Sequence, residues 1–336
     1  MRIPDLDLDV AVPVRNGGGS VRIPARPEPW STDSPRLYRF ELTCGEDRVR
    51  DQIGFKEIRV RGRDMLLNGK PTCLKGICVH EDHVTMGKST DEATIRSTIA
   101  HVKELNCNYI RLAHYPHDGR FARIADEEGV LLWAEVPVYW AIDFANPAVL
   151  ADAENQTAEL VLRDRNRVSV AIWSVGNENA DSDERLSFMS RLAALVRSLD
   201  RTRPVSAACL VDNEKLAIRD RLTEVLDIIG VNEYYGWYDP DFEKLPRLLE
   251  NSKPDKPVVI CEFGADARAG FRGGGFWPRR EGVPFSRLEY QYTNCTALYT
   301  MPALAGQNTT LLPRCSLPDF NAISIPTGML AETRFP

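Results

Sequence analysis

No stretch of this 336-residue sequence is apolar for long enough to cross a bilayer. A basic block is missing too: 42 Lys and Arg stand against 48 Asp and Glu, a net charge of −6 that argues against a nucleic-acid-binding face. Eight cysteines (Cys44, Cys73, Cys78, Cys107, Cys209, Cys261, Cys295 and Cys315) are scattered without a CxxC pair. Most lie within apolar runs and read as reduced core thiols of a cytoplasmic protein, not as a disulfide framework. The opening residues Met1–Asp7 alternate charged and apolar side chains and lack the apolar core of a signal peptide. With 43% hydrophobic and 27% charged residues, the composition excludes a disordered chain.

What is present falls into two rhythms. Up to about residue 60, apolar and polar residues alternate over Val10–Val14, Ser20–Ile23, Leu37–Leu42 and Val49–Val60, broken by Gly17–Gly19, the proline-rich 24–35 stretch and Gly45–Asp47. That pattern predicts short antiparallel strands, enough for about half of a β-sandwich of some seven strands. From Met65 onward, apolar runs (Cys73–Val79, Tyr109–Leu112, Val130–Val136, Val168–Val175, Val205–Ala208, Ile228–Asn232 and Val258–Cys261) alternate with helical patterns. The helices are expected over Glu92–Leu105, Gly119–Glu128, Asp152–Asp164, Asp183–Asp200, Leu216–Leu226 and Leu245–Leu249, with a further one over Phe285–Tyr299. Fully apolar strands separated by helices indicate a parallel sheet covered on both faces. Seven such units point to an α/β fold, a (β/α)8 barrel of about 250 residues. A doubly wound sheet would show a glycine-rich phosphate turn after its first strand. Here that strand leads into His80-Glu81-Asp82-His83. The expected division is therefore a partial immunoglobulin-like sandwich over 1–60 and a barrel over 61–336. The end of the barrel is atypical, since 270–336 fits the pattern poorly.

In such a barrel, function gathers at the C-terminal ends of the strands. The fourth strand ends Gly176-Asn177-Glu178-Asn179 and the seventh Cys261-Glu262-Phe263-Gly264, each placing one glutamate on the rim. Two rim carboxylates are the equipment of a glycosidase: one protonates the leaving oxygen, and the other attacks the anomeric carbon or activates water. A single glutamate in either place is equally well read as a helix cap or an arginine partner. The sixth strand ends Asn232-Glu233-Tyr234-Tyr235-Gly236-Trp237-Tyr238, and aromatic rings of that kind suit sugar binding, although they also serve as packing. His80, Glu81, Asp82 and His83 have the composition of metal ligands. Alternation along an extended segment points neighbours in opposite directions, so no metal is expected there.

Taken in order, these segments resemble glycoside hydrolase family 2, and within it the β-glucuronidase-like members. Gly54–Ile58 with Leu67–Pro71 resembles the junction ahead of the family's barrel, and Lys75–His83, Arg111–Pro116 and Trp173–Asn179 its first, second and fourth strand ends. Asn232–Tyr238 and Glu262–Asp266 complete the set, which spans about residues 50–270. The resemblance implies a retaining exo-β-glycosidase with Glu178 as acid/base and Glu262 as nucleophile. It implies that Asn177 holds the sugar's 2-hydroxyl, that Tyr234 bonds the nucleophile, and that His80, Asn232 and Tyr238 line the pocket. Arg111 is expected to brace a catalytic carboxylate, with His114 in support. No cofactor or metal is implied, and the partner is a carbohydrate, with neither nucleic acid nor membrane.

The sequence also departs from the family pattern. It has room for half a sandwich and no sugar-binding jelly roll. The region matching the eighth strand, Ala305–Leu312, has no tryptophan, and Ile325-Pro326-Thr327 stands where glucuronidases carry an Asn-x-Lys pair. β-D-Glucuronides are the leading substrates. The missing cationic pair keeps β-galactosidase or another neutral-sugar activity as the alternative, and a weakly active carbohydrate-binding fragment as a third reading. Uncovered strands near 10–60 and an unplaced eighth strand predict either self-association into a homo-oligomer through the N-terminal strands or a tail that closes the barrel.

Overall fold

The computed structural model describes residues 1–264 apart from Val84, Gly236, Trp237, Pro240 and Phe242. The expected helix at Phe285–Tyr299, the Ala305–Leu312 and Ile325–Thr327 segments, and the end of the Glu262–Asp266 motif lie outside the described residues.

The first four strands, β1 (Arg2–Ile3), β2 (Leu8–Asp9), β3 (Tyr38–Cys44) and β4 (Asp47–Ile53), form an antiparallel sheet in the order β2-β1-β3-β4. A three-stranded meander follows: β5 (Ile58–Arg61), β6 (Asp64–Leu67) and β7 (Lys70–Pro71). Val10–Val14 and Ser20–Ile23 are not strands, contrary to the alternation. They flank a glycine turn held by an isolated Arg15–Gly18 bridge, and Val14 and Val21 are exposed, so no apolar face draws them into a sheet. The long Val49–Val60 run divides at Gly54, where a Cβ would lie 2.7 Å from Val168 Cγ1.

The parallel sheet is made of β8 (Gly76–Val79), β9 (Tyr109–Leu112), β10 (Leu131–Glu135), β11 (Val170–Asn177), β12 (Val205–Cys209), β15 (Ile229–Asn232) and β16 (Val258–Glu262). A small hairpin, β13 (Val211–Asp212) and β14 (Ala217–Ile218), interrupts the series. Helices α1 (Glu92–Glu104), α2 (Gly119–Glu128), α3 (Pro147–Asp164), α4 (Asp183–Leu199) and α5 (Lys244–Ser252) cover the outside. The seven strands curl far enough that the first and last meet: the Cys78 thiol of β8 donates to the Cys261 carbonyl of β16 at 2.9 Å. This is a nearly closed barrel.

Helix starts follow local chemistry. Asp91, Asp118, Asn146 and Ser182 each accept a backbone N–H from the first turn they cap. The cap at Asn146, followed by Pro147, starts α3 five residues before the expected Asp152. The expected helix at Leu216–Leu226 is instead the second strand of the hairpin and a 3-10 turn, Arg221–Glu224. The reason is Asp220. Its carboxylate accepts the backbone N–H of Leu210 and of Leu222 and pairs with the buried Arg185 guanidinium at 2.6 and 2.8 Å. A continuous helix would not present that carboxylate to both N–H groups and to Arg185.

The N-terminal segment is locked onto the barrel by buried polar anchors. Trp30 is wholly buried, and its indole N–H donates to the Asp126 carbonyl at 2.8 Å. The Lys56 ammonium reaches the carbonyls of Val168 and Val170 at the start of β11. Burial, reinforced by the Arg203 charge, pushes that ammonium well below the usual lysine range. Trp30→Ala removes a large buried ring and a hydrogen bond together. It should cost about 3–5 kcal/mol, read as a lower midpoint in urea denaturation.

Candidate active site

Five parallel strands carry a polar or charged residue at or next to their ends at one mouth: Arg111 on β9, Glu135 on β10, Asn177 on β11, Asn232 on β15 and Glu262 on β16. Alternation along a strand turns such residues inward while their neighbours pack outward against helices. The result is a buried polar layer at the top of an apolar barrel.

Arg111 is the hub of that layer, with its side chain fully buried. Its Nε and one terminal nitrogen reach the two Glu135 oxygens at 3.1 and 3.2 Å. The guanidinium also donates to Glu262 Oε1 at 2.7 Å and to Asn177 Oδ1 at 2.7 Å. Trp133 lies beneath, with its ring centroid 5.5 Å from the guanidinium carbon and its indole N–H donating to Glu135 Oε2 at 3.0 Å. Burial alone would lower the Arg111 pKa, but the surrounding anions, led by Glu135, hold it well above the ordinary value. Burial likewise works to raise the Glu135 pKa and is outweighed by Arg111 and His114, leaving that carboxyl below its usual range. His114 bridges the two glutamates, with Nδ1 2.7 Å from Glu135 Oε1 and Nε2 3.5 Å from Glu262 Oε1.

The second Glu262 oxygen accepts the Tyr234 hydroxyl at 2.5 Å. Burial, the Glu262 charge and this bond all drive the phenol far above its ordinary pKa, so it stays a donor. Glu178 follows β11 with a left-handed backbone, φ 51°. That conformation is uncommon for a non-glycine residue and is found where the surrounding structure fixes it. Here the Glu178 N–H donates to the Ala208 carbonyl at 3.0 Å. Its Oε2 receives the Asn177 amide at 3.4 Å and the Trp140 indole N–H at 3.4 Å.

The residues singled out from the sequence thus lie around one mouth. Asn177 and Asn232 are joined, Asn232 Nδ2 donating to Asn177 Oδ1 at 3.1 Å. The His80 ring packs on His114 at 5.4 Å, and burial, with the His114 and Lys88 charges, lowers its pKa. Tyr238 is exposed and packs edge-on against Tyr234 at 5.4 Å. The acidic and histidine run after β8 disperses. Glu81 accepts the Asp118 N–H at 2.6 Å, Asp82 pairs with Lys88 at 2.8 Å, and His83 turns back to Thr85. Among the described residues no group of three potential metal ligands converges.

Four residues escaped the sequence reading. Glu135 carried a usable signal, a lone carboxylate ending a run of apolar residues, the same signal that marked Glu262. Tyr139 and Trp140 sit in the loop just beyond it, and nothing in their spacing marks them. Glu233 stands between Asn232 and Tyr234, and no sequence signal sets it apart from them. Its carboxyl is pushed up to about 7 by burial and by the Glu178 and Asp239 charges, against a lowering hydrogen bond from Tyr235.

Parallel strands alternating with outer helices in a nearly closed barrel place the fold in the (β/α)8 barrel class, and the arginine–carboxylate layer lies at its strand ends. Residues 58–277 match the TIM barrel domain of glycosyl hydrolases family 2, and the chain belongs to that family. It is 33% identical over 245 residues to a β-glucuronidase of Paenibacillus borealis, covering 67% of this chain and 40% of that one. It is 32% identical over 217 residues to a β-galactosidase of an Arthrobacter species, covering 61% and 21%. Among solved structures, a family 2 β-galacturonidase from Eisenbergiella tayi bound to glycerol superimposes with a TM-score of 0.72 at 31% identity, covering 82% of this chain and 49% of that one. A β-D-glucuronidase of Dictyoglomus thermophilum gives 0.69 at 30% identity, covering 79% and 48%. The chain spans less than half the length of each of these relatives.

Removing the Glu135 charge leaves Arg111 buried with one carboxylate fewer. Glu135→Gln should destabilise the fold by about 3–5 kcal/mol in chemical denaturation. In the parent, the Glu135 contribution is present above the unfolded glutamate pKa and is lost as pH falls through the lower folded value. The Glu135→Gln variant should therefore lose less stability on acidification below about pH 4.5. Glu233 behaves oppositely. Its folded pKa lies above the unfolded one, so the folded state binds the extra proton and stability declines as pH rises from about 4.5 to about 7. Thermal melts of Glu233→Gln across that window should show a shallower decline than the parent.

Proposed function

We propose that the chain is a retaining exo-β-glycosidase that removes terminal β-linked sugars, with β-D-glucuronides as substrates, by double displacement. The observation that carries this reading is the handling of Glu262. One oxygen is held by Arg111, the other by Tyr234, and Glu178 sits at the same mouth on a different strand end. Two donors on one carboxylate fix its orientation, which suits a nucleophile that must meet the anomeric carbon in line. In this reading Glu262 attacks the anomeric carbon as Glu178 gives its proton to the departing oxygen. Glu178 then takes a proton from water, which attacks the glycosyl-enzyme and frees Glu262. His80, Asn177, Asn232 and Tyr238 contact the sugar, and Arg111 and His114 hold the carboxylates. The names of the relatives support a uronide. The β-galactosidase among them supports the neutral-sugar alternative.

The domain boundary near residue 60, a cytoplasmic location and self-association belong to the same proposal. The antiparallel β1–β4 sheet, the free cysteines among the described residues and the exposed Leu42 and Val49 support them in turn.

A panel of 4-nitrophenyl β-glycosides tests the activity. Turnover should favour the glucuronide over the galactoside and disappear in Glu262→Gln. A galactoside preference would select the neutral-sugar reading, and no turnover on any sugar would leave a binding fragment. Glu178→Gln should lose about 10²–10⁴-fold in the first step on a poor leaving group and much less on an activated one, with azide restoring turnover of the latter. Equal losses without azide rescue would remove Glu178 from the acid/base role.

A further inference from the structure

Glu178 does not stand alone on its side of the mouth. It is the first residue beyond β11, and Glu233 is the first beyond β15. Only β12 separates those strands, so their backbones lie about 10 Å apart. The residues just before the two glutamates already span that gap, Asn232 donating to Asn177 at 3.1 Å. A glutamate side chain is one methylene longer. The Glu178 N–H donates to the Ala208 carbonyl of β12 at 3.0 Å, which draws that residue toward β15. The Glu233 N–H donates to the Glu262 carbonyl at 3.0 Å, which pins it beside the strand of the other rim carboxylate.

The cations nearby are committed elsewhere. Arg111 serves Glu135 and Glu262, and Lys244 on α5 pairs with Asp239. Glu178 meets the neutral donors of Asn177 and Trp140. The titratable groups that face Glu233 are Glu178 from the end of β11, with Tyr235 and Asp239 from its own loop, and no cation is among them. Burial first, then the Glu178 and Asp239 charges, push the Glu233 carboxyl up to about 7, against the lowering Tyr235 hydrogen bond. Two neighbouring carboxyls with no cation between them titrate together, because the charge of one retains the proton held by the other.

We propose that Glu233 is a positioning residue for the proton of the reaction: it forms a proton-sharing carboxyl pair with Glu178, and its ionised form keeps the proton on Glu178 until the departing oxygen takes it. In the first step the bond from Glu262 to the anomeric carbon forms, the glycosidic bond breaks, and the Glu178 proton goes to the leaving oxygen. In the second, water gives a proton back to Glu178, an uptake that the Glu233 charge strengthens. This catalytic consequence rests on Glu178 as the acid/base, whereas the pairing does not, and the test separates them.

Carbon-13 NMR of the full chain, labelled at the glutamate carboxyls, reads the pairing without substrate. One line should titrate with a midpoint of about 7, vanish in Glu233→Gln and move its midpoint to lower pH in Glu178→Gln. On an alkyl glycoside, whose leaving group needs the proton, kcat/KM of Glu233→Gln should fall about three- to tenfold near pH 8 and hold near pH 5.5, where Glu233 is protonated in the parent. The activated 4-nitrophenyl glycoside should keep its profile, and Glu233→Asp should restore much of the alkaline limb. A Glu233 midpoint that ignores Glu178→Gln overturns the pair and leaves an active glycosidase standing. An equal loss at every pH and on both substrates reduces Glu233 to a structural role and overturns the proposal, as does an unmoved limb. Coupled midpoints in a parent that hydrolyses no glycoside uphold the pair and overturn the glycosidase. Uncoupled midpoints in such a parent overturn both.

Discussion

The site depends on one buried cation. A guanidinium with no exposed surface is tolerable only if its charge and its donors are met by fixed acceptors. Arg111 meets that condition by drawing Glu135, Glu262 and Asn177, on three other strands, to within hydrogen-bonding distance. The requirement runs both ways. Without Arg111, two buried or half-buried carboxylates would face each other across the barrel mouth. With it, a set of strand ends separated by up to 151 positions in the chain becomes one electrostatic unit.

That unit needs a rigid frame, and the frame is assembled from outside as well as inside. Trp30 and Lys56 fasten the segment preceding the barrel to its base through carbonyls near a helix end and a strand start, and Asn68 in turn holds the Trp30 carbonyl. Glycines are placed where backbones must touch: a Cβ on Gly76 would lie 2.0 Å from the Tyr109 carbonyl oxygen, closer than any atom could sit. On the opposite face, the loops after β10 and β11 are laced together by backbone bonds and the Asn179 amide, which holds Trp140 beside Glu178. Apolar packing sets the barrel, and polar bonding at its two ends sets what the barrel presents.

Much of this was legible in the sequence, because its signals are local. Buried parallel strands are uninterrupted apolar runs, so the run Tyr109–Leu112 coincides with its strand and the other six runs match theirs to within three residues at either end. Glu178 and Glu262 stood out as carboxylates ending such runs, in motifs whose order resembles a family. The same rule, applied to Leu131–Glu135, would have found Glu135. The rule failed where a single long-range contact overrides local preference. Asp220 answers to Arg185 and to two separated N–H groups, and no periodicity over Leu216–Leu226 reveals that its helix is lost to them.

What the sequence determined by itself was the alternation of strand and helix, the position of the rim carboxylates and the sign of the site's chemistry, since each follows from burial patterns a few residues long. Tertiary structure alone decided which charges meet. Arg111 lies 24 residues from Glu135 and 151 from Glu262. Only closure of the sheet brings them within 3.2 Å, where a low dielectric makes their pairing obligatory. It likewise decided that Tyr139 and Trp140, two ordinary aromatic residues in sequence, stand open beside Glu178. Exposure is a property of the folded surface, and no window of neighbours along the chain contains it.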